Sequence, residues 1–176
     1  KKLGTLKEWD TLSSQLFGKL EGDIFKNALK SISFFGLNDS IVNHCGLELD
    51  RTENSEKFAL KIISFMKKII EVRNIEKNNN YILSQPHSDN YLKDSWQNGI
   101  AHSGQKTNCY SSRIIREAST LPLNKKILLF KKFEKIINGG TLFNGAVNKN
   151  EYSLKELQNI LFKSKLNAFY LGKFPK

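Results

Sequence analysis

The residues best equipped for chemistry crowd into GQKTNCYSSRIIRE, residues 104–117, which holds Cys109, one of two cysteines, and Arg113 and Arg116, two of four arginines. A thiol attacks as the thiolate, and from an ordinary pKa of about 8.5 it needs an imidazolium or a helix N-terminus beside it to ionise at neutral pH. His87 and His102 precede it in the chain, but no spacing fixes either against Cys109. A cysteine inside a strand is ordinarily a small buried hydrophobe. A metal site has no better basis: His44 and Cys45 are adjacent and His102 and Cys109 lie seven apart, unlike the short CxxC or HExxH spacings that prearrange ligands. Arg113 and Arg116 could meet an anionic substrate at the C-terminal edge of a parallel strand, where ligands of α/β sheets collect. The alternative is that they lie along a helix face or pair with Glu117.

These residues depend on the elements that carry them. KTNCYSS reads as a strand over 106–111, with Asn108 and Tyr110 on one face and Thr107, Cys109 and Ser111 on the other. Ahead of it, SISFF predicts a strand over 31–35 that stops in a loop at Gly36-Leu37-Asn38-Asp39. YILS predicts another over 80–84, ended by Pro86. Further strands are expected over 140–147 and 168–172.

Helices separate the strands. Trp9, Leu12, Leu16 and Leu20 recur at helical spacing over 6–20, and a second helical segment is expected over 23–30. Phe58, Ile62, Phe65, Met66, Ile69 and Val72 form the apolar stripe of a long helix that Asn54 or Ser55 can cap. Pro122 suits the first turn of a helix whose stripe is Leu123, Ile127, Phe130, Phe133 and Ile137, with Asn138-Gly139-Gly140 as its stop. Lys125, Lys131, Lys132 and Lys135 fall on its opposite, solvated side. Ser153 and Glu156 have the spacing of a capping box. Alternation of this kind, with crossovers long enough for parallel pairing, is the pattern of an α/β domain.

Composition bounds the rest. A chain of 176 residues, 39% hydrophobic, suits one domain. Two cysteines make no disulfide framework. No stretch approaches the ~18 apolar residues of a membrane span, and the first residues mix charge with apolar side chains. We therefore expect a soluble, cytoplasmic protein. The chain begins at Lys1, without methionine, which suggests a piece of a longer product. A net charge of +11 invites a nucleic-acid reading. Nearly all of it is lysine, however, scattered among asparagine and isoleucine instead of arranged as an arginine-rich stripe. Non-specific attraction to polyanions is the most that this pattern implies.

Five segments in order, FFGLNDSIVNHCG, YILSQP, TNCYSS, LFKKFEKIINGGTLFNGAV and LNAFYLG, carry a resemblance. From about residue 30 to 172 the chain resembles the later part of the catalytic barrel of anaerobic, glycyl-radical ribonucleoside-triphosphate reductases. The resemblance rests on Gly36, Leu37 and Asn38, on Pro86, on Thr107 and Asn108, and on Gly139 with Gly140. It implies a mainly parallel α/β domain over 30–176, half of a ten-stranded barrel, preceded by a helical segment over 1–29. By the same resemblance Asn38, Thr107 and Asn108 line the nucleotide cavity, and Cys109 stands where relatives carry serine; Arg113 and Arg116, from their place just after the strand, are the weaker substrate contacts. The family's thiyl-forming cysteine lies on an earlier strand, and its zinc site and radical glycine lie beyond the last strand, so no cofactor and no catalytic residue is expected within this chain. The resemblance thus implies a fragment, split subunit or degenerate relative of such a reductase, partnered by a ribonucleoside triphosphate or by the remaining reductase segments. The alternative is a non-catalytic basic module that binds nucleic acid or acts in a larger assembly.

Overall fold

The computed structural model describes residues 28–86, 111–147 and 151–173, and within them short β-rich runs alternate with amphipathic helices. Strand β1 spans Lys30–Ser33, helix α1 Leu37–Cys45, helix α2 Glu53–Lys77 and strand β2 Tyr81–Ser84. Helix α3 spans Leu123–Glu134, strand β3 Phe143–Val147, helix α4 Leu154–Ser164 and strand β4 Phe169–Lys173. Every pairing among the described residues is parallel: β1 with β2, Lys30 opposite Tyr81, and β3 with β4, Phe143 opposite Phe169. Four of the expected strands are therefore present. The fifth, over 106–111, lies outside the described residues apart from Ser111, as do the helix over 6–20 and most of the segment over 23–30. Residues 28 and 29 are not helical, and Lys30 already belongs to β1.

Helix α1 stands where the sequence suggested a loop. Leu37 and Ile41, one turn apart, are buried, and that single apolar contact row is enough because the core, not intrinsic propensity, holds the helix. Gly36 enters it at φ 69, a left-handed conformation that a side chain would resist. Helix α2 starts earlier than the sequence suggested. Its cap is Thr52, extended at φ −136, whose Oγ1 accepts from the Ser55 N–H at 3.2 Å; neither Asn54 nor Ser55 fills that position. Its buried line is Ser55, Ala59, Ile63 and Ile70, with Phe58, Ile62 and Met66 half-buried, whereas Phe65, Ile69 and Val72 are exposed. The apolar stripe is real but wider than the surface available to cover it.

Helix α3 also departs from its expected limits. Pro122 is the residue before the first turn, and the helix ends at Glu134 instead of reaching the Asn-Gly-Gly stop. Those three residues form a seam instead. Asn138 Oδ1 accepts from Leu83 N at 3.0 Å, Gly139 N donates to Leu83 O at 2.6 Å, and Gly140 O accepts from Gln85 N at 3.1 Å. A Cβ on Gly139 would lie 2.6 Å from that Leu83 oxygen, so only glycine permits the approach. The seam fastens β2 to the chain entering β3 and so joins the two strand pairs. Helix α4 begins with the expected capping box: Ser153 Oγ accepts from Glu156 N at 3.3 Å, and Glu156 Oε2 accepts from Ser153 N at 2.7 Å.

One apolar cluster unites these parts. Ile63 of α2, Leu83 of β2, Phe130 and Phe133 of α3, Phe143 of β3 and Leu161 of α4 belong to it. Phe130 meets Phe143 edge to face at 5.3 Å. Two of the lysines expected on a solvated face of α3 are committed to neighbours: Lys131 donates to the carbonyls of Ser164 and Lys165 at the end of α4, and Lys132 pairs with Glu56 of α2. A cation on the last carbonyls of a helix offsets its dipole.

Candidate functional site

The strand ends and the loops after them position the residues that could meet a ligand. Asn38 sits in the first turn of α1, half-buried, and its Oδ1 accepts from Leu49 N at 3.0 Å. That bond ties the start of α1 to the loop leading into α2. Two residues before it, Gly36 N donates to Ser111 O at 3.0 Å. The segment that carries Asn38 is thereby clasped to the end of the segment that carries Thr107 and Asn108, which themselves lie outside the described residues together with Cys109, His87 and His102.

The two arginines divide. Arg113 N donates to Ser111 Oγ at 3.1 Å and its Nη1 pairs with Glu117 at 2.9 Å, the intrahelical-type pairing that the sequence allowed. It borders a small recess with Gln85 and Asn144 at the strand ends. Arg116 points elsewhere: its Nε meets Asp50 Oδ1 and its Nη1 meets Glu48 Oε1, both at 3.0 Å. Asp50 is 3% exposed and also accepts from Ser119 Oγ. Burial pushes the Asp50 carboxyl up, but the hydrogen bonds from Ser119 and Arg116 and the arginine's charge outweigh it, and the pKa lies below its ordinary 3.8. This cluster locks the loop before α2 to the loop before α3. Lys126, buried on α3, has its pKa lowered by desolvation first, with the charge of Asp50 opposing.

Gln85 was not singled out by its type, yet it is the most enclosed polar side chain at the strand ends, at 2% exposure. Its Nε2 donates to Ser112 O at 3.1 Å and its Oε1 accepts from Leu142 N at 3.2 Å. Both ends of the amide are thus used to hold three strand-end segments together. The signal for it was a polar residue between a buried strand and a proline. Of the thiol and metal candidates, Cys45 is exposed at the end of α1, and His44 lies edge-on to Phe58 at 5.8 Å. Among the described residues no group of three or more His, Cys, Asp or Glu side chains is arranged to hold a metal. No helix among them is long and apolar enough to cross a membrane.

The strands present two different faces. On β1 and β2, Leu83 is in the core and Tyr81 packs against it, while Ser31, Ser33 and Ser84, together with Ile82 opposite Ser31, project to the other side. There Ser84 Oγ hydrogen-bonds to Ser33 Oγ at 2.9 Å and to Ser31 Oγ. On β3 and β4, Phe143, Val147 and Leu171 face the helices, which leaves Asn144 and Tyr170, opposite each other in register, on the other side.

Known proteins share this architecture. The family profile of anaerobic ribonucleoside-triphosphate reductase matches residues 11–172. A solved structure described as an anaerobic ribonucleotide reductase superposes with a TM-score of 0.65 at 17% identity, covering 81% of this chain and 24% of that one. The anaerobic ribonucleotide reductase from Thermotoga maritima, solved with citrate in the active site, gives 0.62 at 17% identity, covering 82% of this chain and 27% of that one. The chain therefore spans about a quarter of the length of these structures. No curated protein matches it.

Proposed function

The chain belongs to the anaerobic ribonucleoside-triphosphate reductase family, and on that premise we propose that it contributes part of the wall of a nucleotide cavity in which a ribonucleoside triphosphate is reduced. The observation that carries this reading is the Gly36 N to Ser111 O bond at 3.0 Å. It supports the reading because it ties the segment that carries Asn38, in one of the family's cavity motifs, to Ser111, the described end of the TNCYSS motif. Amide and hydroxyl side chains there offer donors and acceptors to a polar ligand. Arg113 lies with Gln85 and Asn144 at the strand ends. Arg116 acts through Asp50 and Glu48 to hold the loops behind it.

Radical chemistry in this reading comes from segments other than those described: a thiyl-forming cysteine, a glycyl radical and a zinc site. When bound into the same assembly, the radical supplies the one-electron chemistry. The residues of this chain bind and orient the nucleotide. The test is equilibrium dialysis of the four ribonucleoside triphosphates against the protein isolated anaerobically from its own cells, with any chains that accompany it. Retention of a nucleotide that Asn38→Ala weakens about tenfold, the cost of a hydrogen bond or two, is the expected result. Failure to retain any of the four removes the proposal.

A further inference from the structure

We infer that Ser31 and Ser33, backed by Ser84, form a hydroxyl-rich wall that receives the sugar hydroxyls of the bound ribonucleotide, an assignment that rests on the cavity reading above. Parallel sheets are ordinarily covered on both faces and their strands read as apolar runs. Here the helix side obeys that rule, with Leu83 and Phe143 in the core. The other side carries Ile82, opposite Ser31, but its remaining large side chains are polar. Ser31 and Ser33 are exposed on β1, and Ser84, although 7% exposed, hydrogen-bonds to both. Asn144 and Tyr170 continue the polar face on β3 and β4. The seam sets the chain entering β3 alongside the end of β2, with Leu83 and Phe143 both in the core, and on that arrangement we take the two polar faces as one wall.

The chemistry of this face narrows its occupant. An apolar covering element would leave four hydroxyls and an amide without solvent, at a cost of about 1–3 kcal/mol for each group left unsatisfied. A phosphate would seek a cation, and none of these five side chains carries charge. Each hydroxyl can donate and accept, which matches a ligand whose own hydroxyls do the same. The small residues Ala146 and Gly172, paired in register on the same face, leave it recessed.

The experiment compares a ribonucleoside triphosphate with its 2′,3′-dideoxy counterpart, binding each to the wild-type protein and to Ser31→Ala/Ser33→Ala in the assembly described above. If the serines meet the sugar hydroxyls, the double variant weakens the ribonucleotide about tenfold and leaves the dideoxynucleotide unchanged. Ser31→Thr/Ser33→Thr, which keeps both hydroxyls, restores binding. Equal losses for the two nucleotides, or no loss for either, overturn the serine assignment and leave the cavity reading standing. Wild-type protein that retains neither nucleotide overturns both. The alanine variant removes both hydroxyl partners of the buried Ser84, so a small drop in melting temperature is expected, and binding is compared at a temperature where both proteins are fully folded by circular dichroism.

Discussion

Asp50 concentrates more of the fold in one side chain than any residue around the strand ends. It is nearly inaccessible and is held by Arg116 and Ser119. Replacing Asp50 by Asn keeps the shape but leaves Arg116 with Glu48 alone. Breaking a buried pair costs several kcal/mol, and because Arg116 is one-fifth exposed we expect a loss of about 2–4 kcal/mol at neutral pH, read from the urea midpoint. The sign of the pH dependence follows from the depressed pKa. The carboxylate's contribution is complete above the unfolded value of about 3.9 and is lost as pH falls through the lower folded value. The gap between Asp50→Asn and wild type should therefore begin to narrow below about pH 4 and keep narrowing as the pH falls further; a gap of constant size on acidification would show that the charge is not the source. The sequence left Arg113 and Arg116 equivalent. Arg113 finds its partner four residues away, at a spacing legible in any helix-like turn, whereas Arg116 finds its partners across the fold, where no local pattern reports them.

Between elements, the seam at residues 138–140 illustrates what periodicity can and cannot tell. Asn-Gly-Gly after an amphipathic run reads as a helix stop, yet α3 has already ended and the glycines serve a neighbouring strand. Gly139→Ala forces a methyl against the Leu83 carbonyl and should cost about 1–3 kcal/mol, as overpacking does. Chemical denaturation would show it, and a variant as stable as wild type would mean that the two strand pairs are not drawn together there. Local signals with local partners were read correctly: the Ser153–Glu156 box lies within one turn and needs nothing else. Helix α1 was missed because nine residues with two buried contacts carry little periodicity. The strand alternation KSIS held the hydroxyl face in plain view, but only the position of the core identifies which side is which.

For the whole molecule, the outer surface is more apolar than a self-sufficient domain requires. Phe65 is 62% exposed on α2, Ile75 84%, and Phe162 80% on α4. Exposed apolar side chains scattered singly mean little, but Phe65, Ile69 and Val72 lie one helical turn apart on a single face. The family profile also matches residues 11–27, which a fragment that starts at residue 28 lacks. We expect residues 28–173, expressed alone, to self-associate or bind a hydrophobic dye, and Phe65→Lys with Ile69→Lys to reduce both without lowering the unfolding midpoint. Sedimentation of the two proteins at matched concentrations checks this. A monomeric parent that binds no dye would show that this face is already satisfied.

The seam has one more consequence, for the order in which the chain folds. Strands β1 and β2 close a loop roughly twice as long as the one between β3 and β4. A doubling of loop length adds only about 0.6 kcal/mol of closure entropy. Chain connectivity therefore gives neither strand pair a decisive lead, and each can nucleate around its own crossover helix. What remains is docking: the Gly139 N–H must reach the Leu83 carbonyl across two units that have already formed. Substitutions at that contact should speed unfolding far more than they slow folding, which would mark the join as the last part of the molecule to close.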